Sequence, residues 1–196
     1  MWYDGKNETR EDGTMKTITL AGGCFWGMEK LYRTLGAEDV TVGYANGDSA
    51  DHADYPTVCG GATGFREAVQ IRYDPERLPL GQILLAFFAV VDVTVAKRQG
   101  GDVGDQYQTG IYWSDEGDRE EILRVAEMEK AGAAAFMVEL KPLENFYPAE
   151  EYHQRYLEKN PGGYCHVSPM EMAKVASFRY YEGVYDRPAK VLLGEN

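Results

Sequence analysis

The stretch Thr17-Ile18-Thr19-Leu20-Ala21-Gly22-Gly23-Cys24-Phe25-Trp26-Gly27-Met28-Glu29-Lys30-Leu31-Tyr32-Arg33-Thr34-Leu35 decides how this chain begins to fold. Thr17 to Leu20 alternates polar and apolar residues, the pattern of a half-buried strand. Gly22-Gly23 breaks the strand. Met28, Leu31, Tyr32 and Leu35 then repeat at i, i+3, i+4 and i+7, which lays one apolar stripe along a helix. A strand therefore runs through a glycine turn into a helix, and a cysteine stands at the junction.

Outward from this unit the same patterns recur. Val40, Val42 and Tyr44 alternate as a second strand, and Glu67 to Tyr73 as a third, ended by Asp74-Pro75. Leu80 to Val91 is a strongly apolar helix, Gly110 to Trp113 a strand, and Asp118 to Ala131 a helix. Phe136, Val138 and Leu140 form one face of another strand, and Ala149 to Glu158 reads as a short helix. Residues 45–64 and 97–109 are polar, glycine-rich loops, long enough to suggest a function. The order strand–helix–strand–strand–helix–strand is the split βαβ pattern. It predicts an α+β fold, a two-layer α/β sandwich with a ferredoxin-like split βαβ core, a mixed sheet and a long irregular C-terminal segment. Residues 1–15 read as a mobile arm, 16–168 as one domain, and 169–196 as an extension without an assigned role, in which the aromatic stretch Ser177 to Tyr185 is able to pack back on the domain.

Composition narrows the function. The 196 residues carry 20 Lys and Arg against 32 Asp and Glu, a net charge of −12 that repels nucleic-acid phosphates and anionic lipid heads. The polar start Met1-Trp2-Tyr3-Asp4-Gly5 is no secretory leader. The longest apolar run, Ile83 to Val91, is too short for a membrane span, which needs about 20 residues. The three cysteines, Cys24, Cys59 and Cys165, form neither a disulfide scaffold nor a zinc ribbon. A reducing cytoplasm is expected, where a cysteine pair serves catalysis rather than structure.

Cys24 stands where unsatisfied N–H groups at a helix start favour a thiolate. Phe25 and Trp26 follow it, so apolar rings flank the sulfur. From these residues alone Cys24 is equally a reactive thiolate or a buried free cysteine that packs as a small hydrophobe. A phosphate-binding loop is ruled out by the absence of the lysine it needs. Glu67 carries a second signal. It shares strand phase with Val69, Ile71 and Tyr73, whereas Arg66, Ala68, Gln70 and Arg72 point the other way. A carboxyl turned toward a core is desolvated and stays protonated to higher pH. The alternative is a strand-end Glu that reaches water or pairs with an Arg.

The segment Gly23-Cys24-Phe25-Trp26-Gly27 resembles the signature of the A-type peptide-methionine sulfoxide reductases. The resemblance continues through Val42-Gly43-Tyr44, Asp54-Tyr55, Val58-Cys59, Thr63-Gly64, Glu67-Ala68-Val69 and Tyr73-Asp74-Pro75. It runs on through Arg98-Gln99-Gly100, Asp102-Val103-Gly104, Gln106-Tyr107, Tyr152-His153-Gln154 and Gly163-Tyr164-Cys165-His166, covering residues 16–168. Reduction of a sulfoxide requires a thiolate, a proton donor at the oxygen and a pocket for the S-methyl group. The resemblance implies Cys24 as nucleophile, Glu67 as acid, Phe25 and Trp26 as the pocket, and Tyr55, Tyr107 and Asp102 as groups that hold the sulfoxide. It implies Cys165 as the resolving thiol, which its glycine-rich surroundings would let swing toward a sulfenic acid at Cys24. Cys59 matches a position that is structural or dispensable. The expected substrate is the S epimer of methionine sulfoxide, free or in peptides, and the expected reductant is thioredoxin or another dithiol. Neither metal nor organic cofactor is expected, and the chain is expected to be a monomer.

The chain departs from the common family pattern at Phe65-Arg66, Val91-Asp92-Val93, Gly101 and Asp105. These changes surround the site and bear on rate and substrate preference. Two other classes remain in view. One is a Cys/His hydrolase with His153 or His166 as base, against which the crowding by Phe25 and Trp26 counts. The other is a thiol-bearing binding module, which would form no Cys24–Cys165 bridge. A metal site has least support, since no short-spaced ligand pair exists.

Overall fold

The computed structural model describes residues 15–195. All but Met15 of the expected N-terminal arm lies outside the described residues. The chain forms β1 (Lys16–Ala21), α1 (Phe25–Thr34), β2 (Asp39–Ala45), α2 (Tyr55–Cys59), β3 (Arg66–Tyr73) and α3 (Leu80–Val90). There follow β4 (Arg98–Gln99), β5 (Asp102–Val103), β6 (Gly110–Trp113), α4 (Arg119–Ala131), β7 (Glu139–Pro142) and β8 (Phe146–Pro148). Three short helices end the chain: α5 (Tyr156–Lys159), α6 (Pro169–Ser177) and α7 (Ala189–Leu192).

Six strands form one sheet in the order β7-β6-β1-β3-β2-β8, and β4 pairs with β5 in a separate hairpin. The four central strands are antiparallel, and β7 adds in parallel to β6, so the sheet is mixed as expected. Ile18 lies opposite Ile71 and Leu20 opposite Val69, and these four side chains have no exposed surface. Each such burial is worth roughly 1.5–3 kcal/mol. Val42 continues the row opposite Val69, and Tyr44 stands opposite Glu67. Alternation thus carries Glu67 onto the apolar, helix-covered face. The other face is smaller: Ala21, Ala45, Ala68 and Tyr112 cluster there with Leu143 and Phe146.

Several elements differ from expectation for identifiable reasons. The 45–64 loop contains α2, nucleated where the Asp54 carboxylate accepts the Thr57 N–H at 3.1 Å and Pro56 occupies the first turn. The 97–109 loop contains the β4–β5 hairpin. β7 starts at Glu139, three residues after Phe136. The expected helix from Ala149 shrinks to α5, because Arg155 adopts a left-handed conformation at φ +53°. Ahead of it lies β8, which pairs with the edge of β2. Gln154 extends that edge by imitating a strand: its side chain accepts the Val42 N–H at 3.0 Å and donates to the Val42 carbonyl at 2.9 Å.

The C-terminal extension is more ordered than a loose tail. α6 opens on a capping box in which the Ser168 hydroxyl accepts the Glu171 N–H and the Glu171 carboxylate accepts the Ser168 N–H. Met172, Val175, Tyr185 and Ala189 are buried. Buried Glu129 of α4 accepts both the Tyr185 hydroxyl and, at 2.7 Å, the Ala189 N–H. α3 is consequently enclosed by the sheet, α4, α6 and α7, which accounts for its nearly unbroken apolar sequence. Among the described residues no helix is long and apolar enough to cross a membrane.

Candidate active site

The turn from β1 into α1 has room for nothing larger than glycine at position 23. Gly23 lies at φ +87°, and a Cβ there would come within 2.6 Å of Gln99 Cβ. Gln99 is itself fixed: its amide donates to the Asp92 carbonyl and to Thr109 Oγ1, both at 2.9 Å, and accepts the Asp92 N–H at 2.8 Å. The hairpin that carries Gln99 thus braces the turn that presents Cys24. Cys24 occupies the cap position of α1 and is 5% exposed, covered without being sealed.

Glu67 reaches this turn from the neighbouring strand β3. It is 1% exposed, and its Oε2 accepts the Phe25 N–H at 3.2 Å. Burial drives its carboxyl from the ordinary 4.5 up to about 8; the Phe25 N–H opposes the shift and Asp102 adds to it. The acid is therefore largely un-ionised at neutral pH. The Cys24 thiol moves in the same direction. Burial pushes it well above its usual range, with further contributions from Glu67 and Asp102, and the Trp26 amide opposes only weakly. Burial thus opposes the thiolate that a helix start favours. Loss of hydration outweighs the partial charge of one helical turn.

The remaining expected residues gather around this pair. Tyr55 opens α2, and Tyr107 lies in the short 3-10 turn Asp105–Tyr107. Burial raises both phenols, and Glu67 and Cys24 raise each of them further, so both remain donors. Phe25 and Trp26 take different positions. Phe25 is buried, with its ring 6.1 Å from that of Tyr44 and 5.1 Å from that of His153. Trp26 is partly exposed, stacks on Tyr156 at 3.8 Å and donates its indole N–H to His153 Nδ1 at 3.2 Å. Phe25 is thus the back wall and Trp26 the rim.

His153 is the hub of this wall. Accepting at Nδ1 leaves its proton on Nε2, which faces Glu150 at 4.0 Å, and burial keeps the ring neutral. Glu150 in turn accepts the Tyr55 N–H and the Tyr44 hydroxyl, each at 2.9 Å. Tyr156, Glu150 and Gln99 were not identified from sequence. The partners of Tyr156 and Glu150 lie far along the chain, and the only local traces were Tyr152-His153-Gln154 and, for Gln99, Arg98-Gln99-Gly100.

Cys165 lies beside the first turn of α1. A Cβ on Gly27 would come within 3.2 Å of Cys165 Sγ and 3.1 Å of His166 Nδ1, so the glycine is what admits this segment. The segment is held at both sides in this state. The Tyr164 hydroxyl donates to Asp102 Oδ2 at 3.0 Å, Cys165 Sγ donates to the Val167 carbonyl at 3.0 Å, and Val167 is buried. Asp102 therefore ties the Cys165 segment to the β4–β5 hairpin as well as bordering the site. Cys59 is exposed at the end of α2 beside Tyr55, and all three cysteines are free thiols. Of the departures from the family pattern, Phe65 packs its ring between Tyr44 and Tyr147, Arg66 pairs with Glu139 at 3.0 Å, and Asp105 pairs with Lys97 at 2.8 Å.

Comparison with known proteins agrees with this geometry. The family model described as peptide methionine sulfoxide reductase matches residues 16–182. The chain is 49% identical over 162 residues to the peptide methionine sulfoxide reductase MsrA of Clostridium acetobutylicum, covering 82% of this chain and 99% of that protein. Among solved structures it resembles reduced Mxr1 of Saccharomyces cerevisiae, with a TM-score of 0.75 and 38% identity over 81% of this chain and 93% of that one. It also resembles the same yeast protein crystallised in complex with Trx2, with a TM-score of 0.53 and 28% identity over 77% of this chain and 91% of that one. A relative nearly half identical along its whole length, and a family model matched across the sheet, the site and α6, establish that this chain belongs to the peptide methionine sulfoxide reductases, enzymes that return methionine sulfoxide to methionine.

Proposed function

We propose that Cys24 is the nucleophile of this reduction, Glu67 the proton donor and Cys165 the resolving thiol. The supporting observation is the Phe25 N–H bond to Glu67 Oε2 at 3.2 Å, which keeps a buried acid against the residue that follows Cys24. The sulfoxide methyl enters against Trp26, backed by Phe25. Its oxygen faces Glu67, Tyr55 and Tyr107, with Asp102 at the border. Cys24 rests as a thiol and attacks as its proton is lost. Glu67 protonates the sulfoxide oxygen and regains a proton, so that the net transfer runs from sulfur to oxygen. Oxygen passes from the substrate sulfur to Cys24, leaving methionine and a Cys24 sulfenic acid. The Cys165 thiol then displaces the hydroxyl as water and forms a disulfide with Cys24. A dithiol reduces that bridge by exchange. Thioredoxin is our candidate, since the yeast relative was crystallised with Trx2.

A methyl slot, oxygen donors and a nucleophile held at three separate points would select a single epimer. Family resemblance favours S. Every named group comes from one chain, so a monomer suffices, and the thiol cycle fits a reducing compartment such as the cytoplasm. Mass spectrometry after mixing the reduced protein with methionine sulfoxide tests the scheme. It should find one methionine formed and a Cys24–Cys165 bridge lighter by two hydrogens. A bridge through Cys59, or no bridge at all, would refute the assignment.

A further inference from the structure

The Cys165 thiol poses a problem that the reaction scheme leaves unsolved. Burial pushes it above its usual range, so it meets the Cys24 sulfenic acid as a thiol and must lose a proton to attack. Lys30 favours the thiolate only weakly against that burial. A base is required, and the mechanism so far supplies none: Glu67 ends the first step protonated.

One side chain has the right chemistry and no other occupation. Both ring nitrogens of His166 are buried, and neither makes a hydrogen bond of normal geometry, although the Gly22 backbone lies nearby. The ring packs over the glycines of the β1–α1 junction. Its Nε2 would lie 3.5 Å from a Cβ on Gly23, and its Nδ1 is 3.1 Å from the point on Gly27 that stands 3.2 Å from Cys165 Sγ. The imidazole therefore packs on the junction that bears Cys24, and its Nδ1 and Cys165 Sγ both approach the same point on Gly27. Asp102 from the hairpin and Glu171 from α6 both face it and favour its charged form, but burial dominates and keeps it neutral at pH 7. A neutral imidazole has one nitrogen able to accept a proton. Buried polar atoms without partners are rare, and each calls for an explanation.

We propose that His166 is the proton acceptor for Cys165 in the disulfide-forming step. The Cys165 S–H turns from the Val167 carbonyl to the imidazole, which takes the proton. The thiolate sulfur attacks Cys24 sulfur, and the S–O bond of the sulfenic acid breaks. The imidazolium returns the proton to the departing hydroxyl, which leaves as water. Thiol plus sulfenic acid yields disulfide plus water, and the imidazole ends as it began.

This inference rests on the roles proposed above for Cys24 and Cys165, and the test separates the two. Reduced wild type and His166→Gln are each mixed with limiting methionine sulfoxide across pH 5 to 8. Methionine is followed by chromatography, the sulfenic acid by dimedone trapping, and the bridge by counting thiols. The disulfide step of the variant should slow about 100-fold relative to methionine formation, with trapped sulfenic acid at Cys24. The wild-type step should weaken as pH falls through the imidazole's titration, below the ordinary 6.5, and the variant should lack that limb. His166→Asn serves if the first variant does not fold. A wild-type disulfide rate in the variant, equal slowing of both steps, or an unchanged acid limb would overturn the role of His166. A wild type that makes methionine without a Cys24–Cys165 bridge would overturn the underlying scheme instead.

Discussion

Replacing Glu67 by Gln removes one proton-binding group while keeping shape and the acceptor for the Phe25 N–H. The consequences for stability and for activity have opposite sign. In the folded chain the carboxyl titrates near 8, against 4.5 ordinarily, because it is 1% exposed. Between those values the folded state holds a proton that the unfolded state has released. Folding then binds a proton, so the stability present below pH 4.5 is lost as pH rises toward 8. Each unit is worth about 1.4 kcal/mol, and from pH 5 to pH 7 the loss amounts to about 2–3 kcal/mol. Gln has no proton to release. The stability of Glu67→Gln minus that of wild type should therefore grow by that amount over the same interval, read from urea unfolding followed by tryptophan fluorescence. Turnover should fall by about 10²–10⁴-fold, because an amide cannot supply the proton. Wild-type turnover should itself decline above about pH 8 as the acid ionises. A stability difference that stays constant from pH 5 to 8 would show that Glu67 ionises normally, and the acid would have to be sought elsewhere.

Cys165→Ser should release one methionine per chain in a single turnover and then fail to cycle with thioredoxin; sustained cycling would transfer the resolving role to Cys59. Gly27→Ala should gain up to about 1 kcal/mol of helix propensity yet slow bridge formation, since its methyl would stand 3.2 Å from Cys165 Sγ. An undiminished rate of thiol loss would show that the segment does not depend on that contact. Met172→Ala, at a buried position of α6, should cost about 2–5 kcal/mol in denaturant unfolding. A change under about 1 kcal/mol would mean that the extension merely rests on the domain.

Periodicity sufficed wherever one face of an element meets the core. β1, α1, β2, β3, α3, β6 and α4 all follow from apolar spacing, and the phase of β3 revealed that Glu67 points inward. Elements made by single contacts were hidden. α2 depends on the Asp54 cap, and β8 is three residues that end in a proline, visible only once β2 offers an edge. The order of the tail was implicit in α3: nine consecutive apolar residues, Ile83 to Val91, cannot be one-sided, and α6 and α7 cover what the sheet does not. At the site, residue types and the raised acid at Glu67 were legible, and the state of the Cys24 thiol was not. A helix start is visible in sequence, whereas the burial that keeps Cys24 a thiol comes from β3 and the hairpin. Likewise the glycines before Cys165 suggested freedom, but Tyr164 and Val167 find distant anchors.

The enclosure of α3 has a consequence for biosynthesis. During synthesis Cys24 emerges well before Cys165, and α6 and α7 emerge after both. Until α6 and α7 dock, the apolar faces of α3 that they cover stay open to water. On the roles proposed for Cys24 and Cys165, the sulfur that takes the oxygen is therefore made before the sulfur that removes it.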